Sequence, residues 1–163
     1  MKKTVLLISG IIFLSALACA QHLVKEDLFS IVFPYEPVRQ VQDIETDGLG
    51  IVQMISYIYE DASTAWMIAY TEYPAEHMQQ SGLLESAKNG FITSLELVVA
   101  TEWAISKDIY EGIYFQAGNE QTFCVLKDFI VGNRLYQIGI LQSDEYPSEE
   151  VVDRFINSFN LNL

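Results

Sequence analysis

The chain has 163 residues, half of them hydrophobic, and sets 22 acidic against 9 basic side chains for a formal charge of −13. Such a field opposes nucleic acid and anionic lipid headgroups, and a 12% aromatic content excludes a disordered chain. Of the two cysteines, Cys19 falls in the leader described next, so Cys124 stands alone and an internal disulfide is excluded.

Lys2 and Lys3 give a positive start, Val5 to Leu17 is an apolar run broken only by Ser9, Gly10 and Ser15, and Ala18-Cys19-Ala20 closes it. That order reads as a secretory signal over residues 1–20, and the run is too short for a membrane span of roughly 20 apolar residues. Two processing routes are open. Cleavage after Ala20 frees Gln21, whereas Ala16-Leu17-Ala18-Cys19 resembles a bacterial lipobox, with Ala16 in the usual Leu place, and puts a lipid anchor on Cys19. The expected address is periplasmic or secreted, with a membrane-anchored lipoprotein through Cys19 as the alternative. Residues 21–163 then read as one globular domain whose charge, once Lys2 and Lys3 leave, is −15.

Ala20 to Asp27 reads as a polar lead. Leu28 to Phe33 alternates and runs into Pro34, which ends a strand. Glu36 to Asp47 reads as a polar loop. Gly48 to Tyr59 and Thr64 to Tyr73 form a hairpin turning at Glu60-Asp61-Ala62-Ser63. The period then changes: Leu84, Ala87, Phe91 and Leu95 mark one face of an amphipathic helix from about Met78 to Leu97. Strands return over 98–109, 111–117, 121–131 and 134–142, with hairpin signals at Gly118-Asn119 and Gly132-Asn133. Ser148 caps a last helix, Glu149 and Glu150 suit its positive end, and Val151, Val152, Phe155, Ile156 and Phe159 form its apolar face.

Phe123, Val125 and Phe129 alternate with Cys124, Leu126 and Ile130, so this strand is apolar on both faces and its sheet needs cover on both sides. The expected class is α+β, a twisted, mainly antiparallel sheet covered by two helices.

Four stretches resemble the PsbP-like domain family: Phe29-Ser30-Ile31-Val32-Phe33-Pro34-Tyr35-Glu36-Pro37, Tyr70-Thr71-Glu72-Tyr73-Pro74, Arg134-Leu135-Tyr136-Gln137-Ile138 and Phe155-Ile156-Asn157-Ser158-Phe159. Together they span nearly all of residues 21–163. The resemblance implies an α/β/α sandwich and a role in binding other proteins without catalysis. It carries over no functional residues.

The chain offers little catalytic chemistry. His22 and His77 are isolated and in no ligand spacing. No nucleophile elbow, Cys–His pair or phosphate loop occurs. Asp43-Ile44-Glu45-Thr46-Asp47-Gly48 begins like a calcium loop, but Met54 stands where the bidentate Glu is needed, so it reads as a solvated acidic turn. Cys124 reads as a small core residue. Tyr57, Tyr59, Trp66, Tyr70, Tyr110, Tyr114 and Tyr136 fall on expected strands, as a half-buried layer or as a binding face. Glu72, Glu102 and Asp108 are the acids an unfamiliar carboxylate site would use.

The sequence therefore predicts no catalytic, cofactor-binding or metal-ligating residues, no cofactor and no enzyme activity. It predicts a non-catalytic exported protein of the cell envelope that binds or assists another envelope protein. The alternative is a binder of a small molecule or divalent ion in a pocket between sheet and helix.

Overall fold

The computed structural model describes residues 21–46, 50–75, 82–107 and 110–162. The expected signal over residues 1–20 with Cys19, the Asp47-Gly48 end of the acidic turn, His77, the expected helix start at Met78, and Asp108 lie outside the described residues. The elements run β1 (His22–Lys25), β2 (Phe29–Phe33), β3 (Val38–Thr46), β4 (Gly50–Glu60), β5 (Thr64–Glu72), α1 (Leu83–Ser94), β6 (Val98–Lys107), β7 (Tyr110–Gly118), β8 (Thr122–Val131), β9 (Arg134–Ser143), α2 (Glu149–Ile156) and β10 (Asn160–Leu161).

Two antiparallel sheets form. The larger has seven strands in the order β3-β4-β5-β9-β8-β7-β6, so β9 enters between two meanders and joins them. The smaller is β1-β2-β10, with β2 paired on both sides. Side chains alternate across the large sheet, and each face buries its own cluster. On one face Ile68, Tyr70, Val125, Tyr136, Ile138 and Ile140 meet Phe29, Ile31 and Phe33 of β2 and Val152, Phe155 and Ile156 of α2. On the other, Phe115, Ala117, Cys124 and Leu126 meet Leu97 and the half-buried Phe91 and Ile92 of α1. Leu126 and Val125 are both fully buried, as strand residues covered on both faces must be.

The expected α+β class, with a sheet covered by two helices, is overturned. The protein is mostly β, and its helices have only twelve and eight residues. A second sheet shares the cover of one face with α2, and α1 lies mainly against β7 and β8. The sequence hid that second sheet because β1 buries only Val24 and β10 has two residues; main-chain pairing with β2 defines both.

β3 corrects the expected loop over Glu36 to Asp47. It pairs with β4 in unbroken register from Val38↔Ile58 to Thr46↔Gly50, yet buries none of its nine residues fully, so no apolar periodicity announces it. The Gly132-Asn133 turn is as expected, with Gly132 at φ 60. Gly118 instead ends β7, and Asn119 organises a longer loop, its Oδ1 accepting from the N–H groups of Gln121 and Thr122 at 2.9 and 2.8 Å. α1 keeps its expected Leu84, Ala87 and Phe91 half-buried, with Ile92 beside them, but the residue it buries fully is Lys88, and Leu95, just past the helix end, is 38% exposed.

Candidate functional site

α2 forms one wall of the cleft that Trp103 and Tyr114 floor. Ser148, in extended conformation, accepts a hydrogen bond from the Val151 N–H at 3.4 Å and starts the helix. Val152, Phe155 and Ile156 then turn into the core, which lays the helix against β9 and β2. Beyond it, the β6–β7–β8 end of the same sheet face stays open. A cleft of about 420 Å³ forms there, with Trp103, Tyr114, Gln116 and Lys127 from the sheet and Glu149 and Asp153 from the helix.

Strand register builds the floor of this cleft. Trp103 lies directly opposite Tyr114, and Tyr114 opposite Lys127. The Trp103 and Tyr114 rings stack with centroids 4.1 Å apart and planes at 22°. The Lys127 ammonium sits 5.9 Å from the Tyr114 ring centroid. Gln116 is held at both ends of its amide: Nε2 donates to the Tyr114 hydroxyl at 3.1 Å, and Thr101 Oγ1 donates to Oε1 at 3.1 Å. Burial pushes the Tyr114 phenol up; the Gln116 bond opposes that, and the carboxylates Asp153 and Glu149 add to it. Tyr114 therefore keeps its proton as a donor at neutral pH.

A second cleft, of about 410 Å³, opens on the other flank of α2. Phe33, Tyr35, Trp66, Val151 and Phe155 make it largely apolar, with Arg154 at its border. Tyr35, Tyr59 and Trp66 run beside it as a row of rings at 5.3 and 5.4 Å. Arg154 donates to Glu150 at 2.5 Å.

The remaining aromatic residues singled out in the sequence are mostly structural. Tyr70 and Tyr136 are buried around Phe29, whose ring meets theirs edge-on at 5.6 and 5.7 Å. The Tyr57 hydroxyl donates to Glu26, and with Arg39 this ties the β1–β2 turn to β4 and β3. Burial and Glu26 push Tyr57 up to about 12, with Arg39 opposing. Tyr110 is half-buried at the start of β7.

Glu72 and Glu102 do not come together. Glu72 accepts from Arg134 Nε at 2.8 Å on the face that carries β2. Glu102 is on the opposite face and accepts from Lys88 Nζ at 2.6 Å. His22 is half-buried on β1. Cys124 is fully buried, and burial pushes its thiol up to about 11, which suits a core residue and not a nucleophile. Among the described residues, no group of three or more His, Cys, Asp or Glu is placed to hold a metal ion, and no helix is long and apolar enough to cross a membrane.

The sequence picked out Tyr114 but missed its partners Trp103, Gln116, Lys127 and Asp153. Trp103 stands in an expected strand and was the one signal available; pairing it with Tyr114 requires the β6–β7 register, which a bulge between Val99 and Thr101 shifts by one residue. No family model matches this chain, and no curated protein matches it.

Proposed function

We propose that this protein is a non-catalytic binding module, exported to the cell envelope, that engages another envelope protein through the β3 edge of its large sheet. The export signal read over residues 1–20 and the resemblance to PsbP-like domains support the address and the class of role. The observation that carries the reading is β3 itself. It is an end strand of nine residues, regular and without a bulge. One side of its backbone has no ladder partner among the described residues, and Val38, Val41 and the neighbouring Ile51 are 63, 49 and 72% exposed. Long regular edges are normally blunted, and one left open is a template for a partner's strand. Arg39, Asp43 and Glu45 supply charges that select that strand.

A photo-crosslinking residue at Val41, compared with one at the exposed Glu120, tests this in the native envelope. One reproducible adduct from Val41 and none from Glu120 is expected. Equal labelling at both positions, or none at either, overturns the reading. A second reading, a small-molecule binder using a sheet–helix pocket, is favoured by the aromatic cleft at Trp103 and Tyr114.

A further inference from the structure

We infer that the Trp103–Tyr114 cleft binds a neutral sugar, as successive rings of an oligosaccharide laid along the β6 edge. This inference rests on the second reading above and gives its ligand a chemical class.

Three features narrow the class. The first is an exposed flat platform: Trp103 is 50% exposed although its ring is stacked on Tyr114, so one indole face is backed by protein and the other is open. A flat aromatic face with a polar surround suits a ligand that is apolar on its faces and hydroxylated at its rim. The second is the mixture of polar groups. Gln116 retains a second amide hydrogen and carbonyl capacity after its bonds to Tyr114 and Thr101, and both ends are fixed before a ligand arrives. Glu149 and Asp153 add acceptors from the helix side. Hydroxyl groups, which both donate and accept, match such a set.

The third feature is electrostatic exclusion of the alternatives. The cation position over Tyr114 is already taken by Lys127. Glu149 and Asp153, within a chain of net charge −13, oppose an anion. These charges weigh against an anion, and a neutral hydroxylated ligand is the class that meets the open indole face and the donor–acceptor rim together. The cleft volume of about 420 Å³ lies within the usual range of roughly 300–1,000 Å³ for small-ligand sites. Because Trp103 is on β6, an end strand of the sheet among the described residues, the platform lies at the edge and a chain of rings can continue past it.

Calorimetric titration of the full mature protein with chitohexaose and with maltohexaose, two neutral oligosaccharides, tests the inference. Saturable binding of at least one is expected, with an affinity that changes less than about two-fold between about 50 and about 500 mM NaCl. Trp103→Ala weakens it about ten-fold or more, Gln116→Ala weakens it less, and Trp66→Phe, in the other cleft, leaves it unchanged. Circular dichroism confirms that each variant is folded. Binding that survives Trp103→Ala but is lost in Trp66→Phe overturns the inference while keeping the small-molecule reading, at the apolar cleft. Binding by neither sugar overturns the inference and leaves the binding-module reading to the Val41 adduct.

Discussion

Asp128 is a carboxyl with almost no means of holding a charge. It is fully buried, its Oδ2 accepts from Gln137 Nε2 at 3.2 Å, and its Oδ1 has no hydrogen-bond partner among the described residues. Burial pushes it up to about 7, against the opposing effects of Gln137 and Lys88. Between the ordinary value of 3.8 and about 7, the folded state holds a proton that the unfolded state has released. Stability from this group is therefore intact below the lower value, falls as pH rises through that window, and is flat above it. Asp128→Asn should match the parent near pH 4 and exceed it above pH 7, by up to about 4 kcal/mol. Urea unfolding of both proteins at the two pH values reads this directly. Ser158 makes the opposite prediction. Its Oγ accepts from the Val32 N–H of β2 at 3.0 Å and donates to the Phe155 carbonyl at 2.6 Å. Ser158→Ala should cost about 1–3 kcal/mol in the same assay, because a half-buried main-chain donor loses its partner. The sequence showed the Phe-x-x-Ser-Phe spacing but not this bond, which joins residues 126 apart.

At the scale of elements, apolar periodicity decided what could be read. The β4–β5 hairpin, the β8–β9 turn and the capped α2 were legible, because each buries one regular face or carries its own turn chemistry. β3 and β1 were not, because pairing holds them and burial barely marks them. α1 was placed by its apolar spacing, but beside the contacts of Phe91 and Ile92 it meets the sheet through an ion pair that the spacing hides. Lys88 Nζ lies 2.6 Å from Glu102 on β6 and 2.7 Å from Glu85, with its side chain only 5% exposed. Burial alone would lower the lysine, and the two carboxylates more than offset that. Removing Glu102 strands a buried ammonium with a single exposed partner, so Glu102→Ala should destabilise by about 1–3 kcal/mol. Lys88→Met removes the buried charge itself and should stay within about 1 kcal/mol of the parent. Thermal unfolding of the two variants side by side separates these outcomes.

For the molecule as a whole, β9 has a consequence for time as well as for shape. A chain that ends before residue 134 can pair β3 with β4 and β5, and β6 with β7 and β8, but has nothing to hold the two ladders together. β2 likewise waits for the last residues: β10 supplies its second pairing, and the Asn162 N–H reaches the Leu28 carbonyl at 2.9 Å. Both sheets are thus completed by segments near the C-terminus, and the loops closed in doing so are long. Such non-local pairing places folding in the range of about milliseconds to seconds, which stopped-flow refolding monitored by tryptophan fluorescence would measure. If the protein is exported N-terminus first, as proposed, it lacks its organising strand until residues 134–143 have followed. The fold would then stay pliable during passage and set only on the far side.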